Sequence, residues 1–178
     1  MGDVSASAHN ESGIDMDELE RWLAHNRFLR GFPGAEALPE RHSILACPCE
    51  ILIPAALETQ ITEENAAEVT AEMIVEGANG PTTPEAEEIL LRRGIPVVPD
   101  VPANAGGVIV SYFEWVQDHQ RYSWSVEQIR ERMASQLASA WNDVEHLARE
   151  RELDLRTAAQ AVGLSRLAEA AKLHGIYP

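Results

Sequence analysis

The first 107 residues alternate between short apolar runs and amphipathic stretches. Three runs, 51–53 (ILI), 73–75 (MIV) and 95–98 (IPVV), are rich in β-branched residues and are followed within two residues by proline or glycine. Apolar runs of this length with such boundaries are typical of strands buried in a parallel sheet. We therefore predict three buried strands at these positions.

Helix signals separate the predicted strands. Thr62 is placed to cap a short helix through Val69. Thr83, with Pro84 at the first helical position, opens a second helix that Gly94 ends. Strands that alternate with helices indicate a parallel sheet covered by helices on both faces, so the predicted fold class is α/β.

The rest of the chain is predicted to be helical. Asp15 with Glu18 marks the start of a helix near the N-terminus. From about position 108 onward the pattern is helical only, and Ser125 with Gln128 makes a capping box. An apolar stripe at helical spacing follows that box. Its members are Ile129, Met133, Leu137, Trp141, Val144 and Ala148.

A last helix is predicted near the C-terminus. Asp154 is placed to cap it, and Gly175 is placed to end it. Gly163 lies inside this helix at a cost of about 1 kcal/mol relative to alanine. That cost suggests that Gly163 packs closely against a neighbour.

Composition narrows the class of protein. The 178 residues include 14 basic and 29 acidic side chains, for a net charge of −15, and 45% of them are apolar. A chain of this length and apolar content forms one domain with a core. Its acidic surface disfavours nucleic acid, and it lacks the run of about 20 apolar residues that spans a bilayer. We expect a cytoplasmic protein that binds neither nucleic acid nor membrane.

Metal binding and acid–base chemistry have weak signals. Cys47 and Cys49 flank Pro48, with His42 nearby, but this spacing does not match a zinc site, so structural cysteines are favoured and no metal site is predicted. The acidic residues at 85–88 begin a predicted helix and are interpreted as a solvated helix start. Asp100 ends the last predicted strand and is expected to be at most an orienting group.

Small and amide residues gather where the predicted strands end. These segments are 54–56 (PAA), 77–80 (GANG) and 99–107 (PDVPANAGG). In open parallel sheets, ligands bind outside the carboxyl ends of the strands, and small residues let a ligand approach the backbone. One such loop is an ordinary turn, but three at successive strand ends favour a ligand site.

The same segments carry a family resemblance. Residues 51–62 (ILIPAALETQIT), 74–84 (IVEGANGPTTP) and 97–117 (VVPDVPANAGGVIVSYFEWVQ) closely resemble glutamate dehydrogenase, as do GFPGAE at 31–36 and LHGIYP at 173–178. The similarity extends from about Val4 to the C-terminus. It implies the C-terminal portion of a Rossmann-like dinucleotide-binding domain over residues 1–107, and a helical C-terminal region over residues 108–178.

The resemblance implies oxidative deamination of L-glutamate to 2-oxoglutarate and ammonia, with NAD or NADP as cofactor. The alanines that match Ala55 and Ala56 lie against the dinucleotide in that family, and the asparagines that match Asn79 and Asn104 lie near the nicotinamide and its ribose. A fixed nicotinamide face is what hydride transfer requires. The resemblance also implies a homo-oligomer or hetero-oligomer.

The substrate contacts implied by the resemblance lie further along the chain. The hydroxyl that matches Ser111 contacts the side-chain carboxylate of the substrate, and Val108 lines the same pocket. A serine hydroxyl is a suitable donor for a carboxylate.

The chain departs from the family pattern where catalysis is concerned. It has no G-x-G-x-x-G, and its only lysine, Lys172, matches neither lysine of the family's reaction centre. Ala6 stands where the second Rossmann strand often ends in an acidic residue, so the choice between NAD and NADP is not indicated. No catalytic residue is predicted within this chain, and the isolated chain is expected to be inactive.

Two other interpretations stay open. The chain is alternatively a non-catalytic interaction or nucleotide-sensing module that docks on a full-length dehydrogenase through exposed apolar surface. It is also possible to interpret the sequence as a fragment with no function of its own. A co-purifying paralogue would favour docking, and in-frame coding sequence upstream of Met1 would favour a fragment.

Overall fold

The computed structural model describes residues 1–175, with backbone alone at positions 41 and 174. The last three residues of the LHGIYP motif therefore lie outside the described part.

At the N-terminus, strand β1 (Ala8–His9) pairs antiparallel with β2 (Glu36–Ala37), and helix α1 (Met16–Asn26) lies between them in sequence. Leu19, Leu29 and Phe32 are buried in the small core of this unit.

A three-stranded parallel sheet forms the centre of the fold, as predicted. Strands β3 (Ile51–Leu52), β4 (Met73–Val75) and β5 (Val97–Val98) pair in the order β3-β4-β5. Short 3-10 helices lie at Arg41–Ala46 and Ala66–Glu68, and α2 (Pro84–Arg92) connects β4 to β5. The main core packs Ile74 and Val97 of the sheet against Leu90 of α2, together with Ile61 and Val69.

Four helices complete the chain. They are α3 (Asp100–Ala103), α4 (Gly106–Gln120), α5 (Val126–Arg151) and α6 (Leu155–His174). Helices α5 and α6 pack against each other through Val144, Ala148, Ala158 and Ala159. The α/β class, with a small parallel sheet followed by helices, is confirmed, and none of the described helices is long and apolar enough to cross a membrane.

The predicted helix starts are confirmed in detail. Asp15 accepts hydrogen bonds from two amides of α1, and the Thr83 hydroxyl accepts one from the amide of Ala86. Ser125 and Gln128 form the reciprocal capping box of α5. The carboxylate of Asp154 accepts from the Thr157 amide at 2.8 Å and starts α6. Local hydrogen bonds between a capping side chain and nearby backbone amides explain why these helix boundaries can be predicted from the sequence.

The prediction of a buried strand at 51–53 is wrong in one respect. The strand forms, but Ile51 and Ile53 are 54% and 59% exposed. Strand β3 is an edge strand, bonded to β4 alone, and residues 1–175 supply no strand on its other side. An apolar run indicates that a strand favours burial. It does not indicate whether a neighbouring segment is present to bury it.

Two further local predictions are wrong. No α-helix runs from Thr62 to Val69, because the Asn65 side chain accepts from the Thr62 amide at 2.9 Å and donates to the Gln60 carbonyl at 2.9 Å. These local bonds compete with helix formation and leave only the single 3-10 turn. Gly163 is not closely packed, since a Cβ placed there would meet no atom within 4 Å.

Residues 4–6 do not end a Rossmann strand in this structure. Instead the Asp3 carboxylate accepts hydrogen bonds from the amides of Ser5, Ala6 and Leu29, which fold the segment into a turn. Burial of Asp3 alone would raise its pKa, but these bonds and that from the Ser5 hydroxyl outweigh it and lower the pKa. The described chain has no parallel neighbour for this segment, so its backbone finds local partners.

Candidate functional site

The loops that follow β3 and β4 are joined at the carboxyl edge of the sheet. The carbonyl oxygen of Pro54 accepts hydrogen bonds from the amides of Gly77, at 3.1 Å, and Ala78, at 2.9 Å. A Cβ at Gly77 would lie 2.9 Å from the Cβ of Ala55, so only glycine fits there. The predicted residue Ala55 therefore lies directly beside the GANG segment, and its neighbour Ala56 is also exposed.

The loops that follow β4 and β5 are joined by an amide pair. The side-chain nitrogen of Asn104 donates to the side-chain oxygen of Asn79 at 2.8 Å. This bond leaves the N–H donors of Asn79 and the oxygen of Asn104 for other partners, a complementary donor and acceptor set. We call residues 76–80 and 99–104 the amide loops. The structure thus brings together two predicted site residues that are 25 positions apart.

The other two predicted site residues lie on helix α4. Val108 and Ser111 are one turn apart on α4, so their side chains share a face, which we call the α4 face. Val108 is 75% exposed, and Ser111 is exposed as well. Within residues 1–175 neither side chain makes a hydrogen bond to the amide loops.

A cluster of charged side chains lies at the base of the amide loops and includes Glu76 and Asp100 from the loops themselves. Arg156 of α6 donates to both carboxylate oxygens of Glu76 at 2.9 Å, and it also bonds Glu87 of α2. Its remaining nitrogen lies 3.5 Å from the Asp100 carboxylate. The side chain of Glu76 is fully buried, whereas that of Arg156 is 23% exposed. One arginine therefore contacts carboxylates from three separate segments.

Burial sets the electrostatics of this cluster. Loss of water raises the pKa of the Glu87 carboxyl, and the hydrogen bond and charge of Arg156 only partly oppose that rise. For Arg156, burial alone would lower the pKa, but its bonds to Glu87 and Glu76 outweigh burial and raise it. The arginine stays charged, and its ion pairs join three segments of the chain.

This cluster is not predicted by the sequence patterns above. The interpretation of Glu87 as part of a solvated helix start is wrong, because Glu87 is 7% exposed and contacts Arg156. Glu76 is a lone charged residue at the end of an apolar strand, and this position in the sequence is the signal that could have indicated a buried charge. Asp100 does orient its surroundings, since its carboxylate accepts from the Gly80 amide at 2.9 Å.

The two cysteines form no disulfide bond with each other. Cys47 and Cys49 are unpaired and half-buried, and Cys49 contacts the main core. Burial, first of all, and the charge of Glu50 raise the pKa of the Cys49 thiol. Among the residues that the structure describes, no group of three or more candidate ligands is placed to hold a metal ion.

An apolar cavity of about 510 Å³ lies between the sheet and the C-terminal helices. Val75 and Val98 of the sheet line one wall, and Trp141, Val144 and Val162 line the other. Gly163 opens onto it, which explains why a Cβ there would meet nothing.

A small parallel sheet with connecting helices, and with small and amide side chains at the carboxyl ends of its strands, defines the chain as an α/β protein. Within that class, the chain belongs to the glutamate/leucine/phenylalanine/valine dehydrogenase family, whose sequence model matches residues 1–175. The resemblance drawn from the motifs is therefore confirmed.

The curated relatives are glutamate dehydrogenases. The chain is 45% identical over 178 residues to the glutamate dehydrogenase of Thermotoga maritima. The aligned region covers 100% of this chain and 42% of that relative. It is 43% identical to the NAD-specific glutamate dehydrogenase of Staphylococcus aureus, over 98% of this chain and 42% of the relative. The chain thus spans about two fifths of the length of these relatives.

Solved structures agree with this assignment. The hetero-hexameric glutamate dehydrogenase of Thermus thermophilus superimposes with a TM-score of 0.84 at 36% identity, over 96% of this chain and 40% of that chain. The glutamate dehydrogenase of Peptoniphilus asaccharolyticus gives 0.78 at 36% identity, over 95% and 37%. The glutamate dehydrogenase of Plasmodium falciparum gives 0.85 at 22% identity, over 99% and 40%, which supports the fold alone.

Proposed function

We propose that this chain supplies the nicotinamide side and part of the substrate wall of an NAD(P)-dependent glutamate dehydrogenase, working in the cytoplasm. The observation on which the proposal rests is the amide pair Asn79–Asn104 at the carboxyl ends of adjacent parallel strands. The similarity to NAD-specific glutamate dehydrogenase over 98% of the chain supports the choice of cofactor.

The residues at this edge fit one end of a dinucleotide. The exposed methyl groups of Ala55 and Ala56 leave room for a flat ring, and the free donors and acceptor of the Asn79–Asn104 pair match a carboxamide or a ribose hydroxyl. The bound nicotinamide would supply the hydride acceptor. No G-x-G-x-x-G is present in the sequence to hold the pyrophosphate, so these residues fit the nicotinamide end only.

The substrate contacts are assigned to the α4 face. The Ser111 hydroxyl donates a hydrogen bond to the side-chain carboxylate of L-glutamate or 2-oxoglutarate, and Val108 gives an apolar wall beside it. The chain contains no lysine other than Lys172, which lies near the end of α6. We therefore assign no catalytic base to this chain, and we expect the 178-residue chain alone to give no turnover.

The test is a titration of the ¹⁵N-labelled 178-residue chain with NADH, repeated with NADPH. We expect signals of the Asn79 and Asn104 amides to shift first, and Asn104→Ala to weaken binding about tenfold, the effect of one hydrogen bond. Asn142→Ala, on the exposed surface of α5, is the matched control. Equal affinities of Asn104→Ala and the starting chain would remove Asn104 from the site.

Two direct measurements accompany the titration. Glutamate-dependent formation of NADH by the isolated chain, followed at 340 nm, is expected to be absent, and measurable turnover would contradict the assignment of no base. The intact mass in the source cells comes next. A species far heavier than 19.6 kDa that contains these peptides would make the chain part of a whole enzyme.

A docking role is the second candidate, and a specific observation favours it. The open edge of β3 exposes Ile51, Ile53 and Leu57, each more than half exposed, where a further strand would pack. A chain that docks on a full-length dehydrogenase, in a hetero-oligomer, would cover this edge. Native mass spectrometry of the chain mixed with the full-length glutamate dehydrogenase of the same cells tests this role, with Ile53→Lys expected to abolish the mixed species.

A further inference from the structure

Arg156 connects helix α6 to both amide loops, although it is 80 positions from Glu76 in sequence. We propose that Arg156 is a positioning residue that holds Asn79 and Asn104 in place through Glu76 and Asp100. The inference rests on the cofactor role proposed above for the two asparagines. It assigns to the C-terminal helix a part in building the cofactor site.

The first link runs through Glu76. Arg156 donates to both oxygens of the Glu76 carboxylate at 2.9 Å. One of these oxygens also accepts from the backbone amide of Asp100 at 2.9 Å. Glu76 is the first residue of one amide loop and Asp100 begins α3 in the other, so this carboxylate joins the two loops at their bases.

The second link runs through Asp100. Its carboxylate accepts from the Gly80 amide at 2.9 Å, and its carbonyl accepts from the Asn104 amide at 2.9 Å. Gly80 has φ +52°, a left-handed conformation, and directly follows Asn79. Asp100 therefore fixes the backbone next to each asparagine, and Arg156 lies 3.5 Å from its carboxylate.

The chemistry of this position requires arginine. A guanidinium group presents five donors in a planar fork, whereas a lysine ammonium is a compact point charge. Arg156 uses separate nitrogens for Glu87, Glu76 and Asp100. Lysine would keep the positive charge but could not contact three carboxylates in this geometry.

The test compares Arg156→Lys with Arg93→Lys. Arg93 is a matched control, because its side chain donates to the Ala66 carbonyl at 2.6 Å and forms no hydrogen bond or ion pair with either amide loop among the described residues. Hydrogen exchange of the Gly80 and Asp100 amides is measured by NMR in each variant. The Ile74 amide, bonded to the Pro96 carbonyl within the sheet, is the internal reference.

We expect Arg156→Lys to speed exchange at Gly80 and Asp100 about tenfold relative to Ile74, the effect of weakening one charge-assisted hydrogen bond. Arg93→Lys should leave this ratio unchanged. NADH should bind about tenfold more weakly to Arg156→Lys, with no change in Arg93→Lys. A purely structural role would speed exchange at all three amides together, and that result would overturn the proposal.

A second variant keeps the test decisive if Arg156→Lys does not fold. Asp100→Ala removes the acceptor of the Gly80 amide but leaves the bonds of Arg156 to Glu76 and Glu87 in place. Unchanged exchange at Gly80 in this variant would overturn the second link. If the unmodified chain does not bind NADH, the proposed function fails, whereas the exchange ratios still test the positioning role by themselves.

Discussion

The two parts of the candidate site differ in how firmly the described chain holds them. The amide loops are joined to each other, to the sheet and to α6 by hydrogen bonds whose acceptors include the fully buried carboxylate of Glu76. The α4 face, in contrast, presents Val108 and Ser111 to solvent. The described chain therefore preorganises its proposed cofactor side, whereas its proposed substrate side is open to solvent.

Removal of the charge at the base of the amide loops should have the largest effect. Arg156→Met would leave the buried carboxylates of Glu76 and Glu87 without their partner, and the free energy of unfolding should fall by about 3 kcal/mol, the lower end for a partly exposed group. Arg149→Met, at an exposed pair with Glu145, should cost less than about 1 kcal/mol. Equal losses of unfolding free energy for Arg156→Met and Arg149→Met, measured by urea unfolding, would contradict this prediction.

A second comparison uses two glycines. Gly77→Ala would place a Cβ 2.9 Å from the Cβ of Ala55, and overpacking of this kind costs about 1–3 kcal/mol. Gly163→Ala meets no atom within 4 Å and should stabilise α6 by up to about 1 kcal/mol. Opposite shifts of the midpoint of thermal unfolding are expected, and a stabilising Gly77→Ala would mean that the loops are not closely packed.

The cap of α6 should make the stability of the chain depend on pH. Burial alone would raise the pKa of Asp154, but hydrogen bonds from Thr157 outweigh it and lower the pKa below its ordinary value of 3.8. The ionised cap therefore adds stability above pH 3.8, and this is lost as the pH falls through the pKa of the folded state.

Asp154→Asn tests this cap. It should cost up to about 1 kcal/mol at pH 7, since a neutral amide caps the helix without the favourable charge. The difference from the starting chain should shrink as the pH falls below 3.8, and it should disappear in unfolding measurements only once the pH is below the lowered pKa of the folded state. Asp118→Asn, at an exposed position of α4, is the control, and a difference for Asp154→Asn that persisted in acid would rule out the charge as its cause.

The smallest effect is expected on the α4 face. Ser111→Ala should change the free energy of unfolding by less than about 0.5 kcal/mol, because its side chain is exposed. Asn104→Ala should cost about 0.5–1 kcal/mol through loss of the 2.8 Å bond to Asn79. A larger loss for Ser111→Ala than for Asn104→Ala would reverse the comparison between the two parts of the site.

Much of the fold was predictable because its signals are local. The caps at Asp15, Thr83, Ser125 and Asp154 satisfy backbone amides three residues or fewer away, so their positions in sequence are sufficient. The parallel strands followed from short apolar runs between glycine and proline. The helix predicted from Thr62 failed where another local group, Asn65, offered the backbone a different partner.

The family, the strand ends and the residue types that line them follow from contiguous motifs such as GANG and PANAGG, because such motifs fix local conformation and chemistry together. Which distant groups meet depends on the packing of the folded chain. Arg156 and Glu87 look like surface charges in the sequence, and Ile51 looks like a core residue, yet the first two are joined beside a buried carboxylate and the third is exposed. Burial depends on which segments pack together, and spacing along one segment contains no record of its neighbours.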